Sequence, residues 1–166
     1  MIDPSLSLEK VRRVLSYDPD TGIFRWLVRV SPRAGPGDIA CAKSQRGYIV
    51  IGIDGCQYLA HRLAWFYVHG VWPALPIDHR NGIKSDNRMA NLRSVEHAIN
   101  MQNKRAAMGT SKTGYLGIVR RKKDGRYEAR IWANGERICV GAFDDPGQAH
   151  EAYLTAKRQL HPGCTI

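Results

Sequence analysis

"LPIDHRNGIKSDNRMANL", residues 75–92, sets an acidic residue and a histidine side by side at the end of a short apolar run. A polar loop rich in asparagine follows, and the chain turns apolar again at its end. The apolar lead-in at 75–77 predicts a strand, and "LRSV" at 92–95 predicts its return partner. Ser94 is placed to cap a helix over about 95–104, with Val95, Ala98 and Ile99 facing inward. His97, Asn100 and Lys104 would share a separate face of that helix. The predicted order is strand, long polar loop, strand, helix.

The residue types in this stretch form a coherent chemical set. A carboxylate such as Asp78 and a side-chain amide oxygen are hard donors suited to Mg²⁺ or Mn²⁺, with water completing the shell. A neutral histidine such as His79 takes a proton from water near pH 7. A metal ion polarises a phosphoryl oxygen and stabilises a departing alkoxide. Together these make a minimal kit for cutting a phosphodiester. A capped turn carrying a surface histidine is the other reading of the same residues. Adjacent strand residues point to opposite faces, so Asp78 and His79 share a site only if the strand ends, bends or twists there.

Upstream, "LSLEKVRRVLS" at 6–16 places Leu8, Val11, Val14 and Leu15 at helical spacing. "YDPDTG" reads as a turn and "IFRWLVRV" at 23–30 as a strand. "GYIVIGIDGCQYLAH" reads as a hairpin turning at Asp54-Gly55, and "AHRLAWFYVHG" as a helix closed by Gly70. In that helix His61 is expected as a packing residue, and Arg62 is a candidate phosphate contact. Downstream, "RAAMGTSKT" at 105–113 is polar, small and aperiodic, as a linker is. Three strands then follow, "YLGIVRR", "RYEARIW" and "RICVGAF", joined at Asp124-Gly125 and Asn134-Gly135. Asp145 and Pro146 open a last helix whose apolar stripe is Ala149, Ala152, Tyr153, Ala156 and Leu160. The expected class is α+β. Its domains are an N-terminal region with a catalytic module over 1–104 (core about 47–104), a linker at 105–113, and a second domain over 114–163.

The 166 residues carry a formal charge of +10 and a pI near 9.8. Such an excess favours a polyanionic partner, nucleic acid first. No apolar run approaches the ~20 residues of a membrane helix, and the N-terminus lacks a signal-peptide layout. The expectation is a cytoplasmic protein with no membrane partner. Cys41, Cys56, Cys139 and Cys164 never form CxxC. No structural zinc and no disulfide framework are therefore expected, and the four are read as reduced packing residues.

Strand alternation puts Tyr127, Ala129 and Ile131 of the second domain under the helix. It leaves Arg126, Glu128, Arg130 and Trp132 on an open, basic face, which Arg121 and Arg137 join by parity. A three-stranded sheet of this kind enters a major groove, where arginines meet guanine edges and phosphates. A solvated sheet face is the alternative. An RNA-directed surface would need stacked aromatics, which this face lacks.

"DHRNGIKSDNRMANL" followed by "INMQNK" resembles the HNH endonucleases, in particular their phage and homing-type branch. "YLAHRLAWFYVHGVWP" is similar to the lead-in of that branch. The resemblance implies a ββα-metal nuclease module in which His79 is the general base and Asp78 a metal-ligating carboxylate. It further implies that Asn91 braces the loop and helps orient the histidine, with Asn87 the next candidate, and that Asn100 is the second metal ligand. One divalent cation, Mg²⁺ or Mn²⁺, is implied. The stretch from Gly114 to Ala156 resembles the AP2 DNA-binding domain, whose sheet face lies in the major groove. That implies DNA-facing roles for Arg121, Arg130, Trp132 and Arg137. The chain departs from plant members at Val119 and Cys139, so base preference does not carry over. The combined expectation is a double-strand DNA endonuclease, monomeric or a weak dimer, which nicks one strand per active site. It would leave a 5′-phosphate and a 3′-hydroxyl, and would be encoded by a phage or mobile element. The alternative is a DNA-binding regulator with a vestigial nuclease module.

Overall fold

The computed structural model describes residues 6–107 and 109–166. The architecture mixes short helices with small antiparallel sheets. The chain divides into two compact units, one running to Glu96 and the other from His97 to Ile166. No helix among the described residues is long and apolar enough to cross a membrane.

The first unit opens with α1 (Leu8–Val14), whose N-terminus is capped by Ser7 Oγ accepting from the Lys10 amide at 3.2 Å. The expected helix ends one residue early. Leu15 instead begins β1 (Leu15–Asp18), paired antiparallel with β2 (Ile23–Trp26), and it remains fully buried. Asp18 closes their turn by accepting from Thr21 Oγ1 at 2.7 Å and from the Asp20 amide at 3.0 Å. The strand expected over 23–30 stops at Trp26. A second sheet orders β3 (Ala42–Lys43), β4 (Ile49–Ile53) and β5 (Cys56–Leu59), with Asp54 at φ 51° in the expected tight turn. Next comes α2 (Ala60–His69), closed by Gly70 in the left-handed region. Val11, Leu15, Phe24, Ile51, Tyr58, Leu63 and Phe66 share one core. Against it lies a two-stranded sheet, β6 (Ile77–His79) with β7 (Leu92–Ser94).

The second unit begins with α3 (His97–Gln102). This helix is shorter than the expected 95–104, because Ser94 is held in β7 opposite Ile77 and does not act as its cap. No α3 residue is buried, and Ala98 is exposed, so the expected inward stripe is absent. The helix is fixed through its C-terminal turn instead. Gln102 Oε1 accepts from the Gly163 amide at 2.9 Å, and any side chain at Gly163 would collide with the Ile99 carbonyl. Arg105, at the start of the expected linker, donates to the Thr165 carbonyl at 2.8 Å.

A three-stranded antiparallel sheet follows in the order β10 (Glu136–Phe143), β9 (Tyr127–Ala133), β8 (Ile118–Arg120). Its cover is α4 (Pro146–Leu160), capped by Asp145 accepting from the Gln148 amide at 2.8 Å, with Pro146 in the first turn. Ala129, Ile131, Ala149 and Tyr153 form its core with Ile118. Lys157 is buried on the same helix, reaches the Lys104 carbonyl, and has its amine pushed down by burial. All four cysteines are free. Cys41 and Cys139 are exposed, so the packing role expected of them does not hold: each lies where no core reaches it.

Candidate active site and nucleic-acid interface

Asp78 and His79 lie on β6, opposite Arg93 and Leu92 respectively. Arg93 answers Asp78 across the pair, its Nε and Nη2 donating to the same carboxylate oxygen at 2.9 and 2.8 Å. The His79 ring meets other groups. Its Nε2 is 3.3 Å from Asn87 Oδ1, and its centroid is 5.0 Å from that of His61, edge to face. Tyr48 lies against both rings, at 5.2 Å from His61 and 6.1 Å from His79. Asp78 and His79 are respectively 8 % and 4 % exposed, so both are enclosed.

The electrostatics favour a neutral imidazole. Burial pushes the His79 pKa below its ordinary value, opposed by the Asn87 contact and the nearby Asp78 carboxylate. His61 is pushed down to about 3, chiefly by burial and then by His79 and Arg62. Its Nδ1 is buried without a hydrogen-bond partner, as a neutral core imidazole can be. Arg62, the candidate phosphate contact of the same helix, donates through Nη2 to the Pro73 carbonyl at 3.2 Å, and burial lowers its pKa.

The loop between β6 and β7 has almost no apolar core and is held by polar bonds. Asn91 spans it: Oδ1 accepts from the Asn81 amide at 2.9 Å, and Nδ2 donates to the Asp86 carbonyl at 2.7 Å. Asp86 is the hub. Its carboxylate accepts from Arg88 Nη2 and Asn81 Nδ2, both at 2.6 Å, and Arg88 first of all holds its pKa down at about 2. The loop is also pinned from outside. Tyr17 Oη donates to the Asn87 carbonyl at 2.7 Å, while Gly22 approaches the Asn87–Arg88 peptide so closely that a side chain there would collide. Asn87 thus has its backbone fixed by Tyr17 while its side chain meets His79.

Arg93, Asp86, Tyr17 and Tyr48 are absent from the sequence-level site. Arg93 was within reach of that reading, since antiparallel pairing of 77–79 with 92–94 puts it opposite Asp78. The others carry no local signal. Asn100 lies half-buried on α3, and His97 on the same helix is exposed.

The donor chemistry is compatible with a divalent ion. A carboxylate is a hard oxygen donor, and Asp78 presents its carboxylate to Arg93. Among the described residues no three His, Cys, Asp or Glu side chains cluster as a metal cage.

In the second unit, alternation along β9 runs as the sequence implies: Ala129, Ile131 and Ala133 are buried and Trp132 is 65 % exposed. Trp132 faces Arg137 across the strands, and Arg130 faces Cys139. Trp132, Arg130 and Arg137 are among the residues that line an open groove of about 470 Å³, as are Tyr115 and Leu116. Much of the face's charge is already committed. Arg130 pairs with Glu128 at 2.7 Å, Arg121 with Asp124 at 3.1 Å, and Arg126 with Asp144 at 3.0 Å while also donating to the Ala142 carbonyl.

Residues 58–102 match the model of the HNH endonuclease family. This span runs from β5 through α2, β6, the polar loop and β7 to the end of α3, and covers less than half of the chain. It carries both Asp78 and His79. The segment is therefore similar to the HNH endonucleases over these residues. No curated protein and no solved structure matches the chain.

Proposed function

We propose that this chain is a metal-dependent DNA endonuclease that nicks one strand of a duplex at each active site. The observation that carries the reading is an Asp78–His79 pair, inside a segment matching the HNH endonucleases, held at the root of a loop knit by Asn81, Asp86 and Asn91. Asp78 and Asn100 would hold Mg²⁺ or Mn²⁺. Such an ion would supply polarisation of the scissile phosphoryl group and would ease departure of the alkoxide. His79 takes the proton from the attacking water, leaving a 5′-phosphate and a 3′-hydroxyl. Asn87 orients the imidazole, and Asn91 keeps the loop closed behind it. Because the carboxylate and imidazole are enclosed, the chemistry requires them to become accessible when DNA binds.

The β8–β10 face, similar to an AP2 domain, would grip the duplex through Trp132 and Arg137, with Arg121, Arg126 and Arg130 contributing to its charge. A monomer or weak dimer acting on DNA inside a cell that carries a phage or mobile element completes the reading. The test is supercoiled-plasmid nicking with Mg²⁺ or Mn²⁺. Wild type should cut, chelation should stop it, and His79→Ala should reduce the rate by at least about 100-fold. Equal cutting by both proteins removes His79 as the base. Salt-sensitive DNA binding with no cutting of any duplex supports a DNA-binding regulator.

A further inference from the structure

A second basic groove, of about 550 Å³, lies in the first unit on the sheet formed by β3, β4 and β5. Lys43, Arg46, Ser44, Gln45, Gln57 and Tyr48 are among the residues that line it. Register places Ala42, Val50 and Leu59 side by side on this face, while Ile51 and Tyr58 turn into the core. Lys84, from the loop that follows His79, adjoins it: its Nζ donates to the Arg46 carbonyl at 2.9 Å and lies 5.0 Å from the centre of the Tyr48 ring. No acidic residue lines the groove. Tyr48 also connects it to the candidate chemistry, because its ring contacts both His61 and His79.

We propose that this groove holds the DNA strand flanking the phosphate to be cut. Lys43, Arg46 and Lys84 would neutralise its phosphates. The amides of Gln45 and Gln57 would bond sugar and phosphate oxygens, and Tyr48 would offer an apolar surface beside the imidazole. Cationic side chains, neutral hydrogen-bonding ones and an apolar surface are the combination a polynucleotide backbone needs, and such contacts position without reading sequence. The inference rests on the nuclease reading for what happens at His79, but the binding itself does not depend on cleavage.

The test measures binding of the full chain to a labelled duplex over a range of salt concentrations. Neutralising Lys43 and Arg46 together (Lys43→Gln, Arg46→Gln) should flatten the slope of log affinity against log salt by roughly 2, about 0.9 per phosphate contact. Arg13→Gln with Arg33→Gln removes the same charge from exposed positions outside the groove and should leave the slope nearly unchanged. Gln57→Glu, which introduces a negative charge without touching the cations, should weaken binding as well. An unchanged slope in the groove pair, or an equal change in the control pair, overturns the proposal. Groove-dependent binding of polyglutamate without groove-dependent binding of DNA also overturns it and assigns the groove to an acidic polypeptide. Cleavage with an unaltered KM in the groove pair removes the groove and keeps the nuclease. A flattened slope in a protein that cuts nothing keeps the groove and removes the nuclease.

Discussion

Two imidazoles 5.0 Å apart under the same cover cannot both carry charge without repelling, and here burial keeps His61 neutral far below the usual histidine range. The consequence for stability has a definite sign. With its folded pKa lowered to about 3, His61 takes up a proton more readily in the unfolded chain. Its contribution is complete above about pH 6.5 and is lost as the pH falls below that value, at up to about 1.4 kcal/mol per pH unit. His61→Phe keeps an aromatic ring against Tyr48 and removes the titration. Urea unfolding at a series of pH values should therefore show a shallower decline between pH 6.5 and 4 in the variant, and an identical decline would mean that His61 is not buried neutral. Asn91 poses a different question, because its amide serves two backbone groups of the loop. Asn91→Ala leaves both unpartnered and should cost about 1–3 kcal/mol, read as a lower unfolding midpoint.

At the scale of elements, the β6–β7 loop depends on a turn far from it in sequence. Gly22 closes the β1–β2 turn at φ +72° and touches the Asn87–Arg88 peptide with no room for a methyl group. Gly55 has a similar φ of +78° in the β4–β5 turn and open space around it. Alanine at either position bears the left-handed backbone cost, about 1–2 kcal/mol. Only at residue 22 does it also displace the backbone that carries Asn87. Gly22→Ala should thus lower the melting temperature more than Gly55→Ala and slow plasmid nicking, whereas nicking by Gly55→Ala stays near wild type. If the two variants cut equally, the turn does not support the loop. This contrast also explains what the sequence could reveal. The hairpin at Asp54 and the cap at Asp145 are decided by residues within a few positions, and the pattern announces them. The early end of α1, the short β3 and the shortened α3 are decided by pairing and packing with distant segments. Around the candidate site, a local motif singles out Asp78 and His79, while Tyr17, Tyr48 and Asp86 owe their places to the tertiary fold.

For the whole molecule, a charge of +10 favours a polyanionic partner, but that charge is not equally available everywhere. Parity along β9 assigned the open face of the second unit, yet it gave no warning that Glu128 would hold Arg130 through two bonds at 2.7 and 3.0 Å. The pair keeps the Glu128 carboxyl at about 2, so it is intact at neutral pH. Half-buried on an open sheet face, it adds little to stability. Its larger effect is on the surface field, where it cancels one cation beside Trp132 and Arg137. Glu128→Gln should release Arg130, tighten duplex binding at low salt, and steepen the salt dependence by about 0.9 for one added phosphate contact. Trp132→Ala and Arg137→Ala should weaken binding, raising KM for nicking with kcat at saturating DNA unchanged, because neither side chain belongs to the unit that carries His79. A fall in kcat with constant KM would instead place this face in the chemical step, and an unaltered salt slope in Glu128→Gln would show that Arg130 does not reach a phosphate even when released.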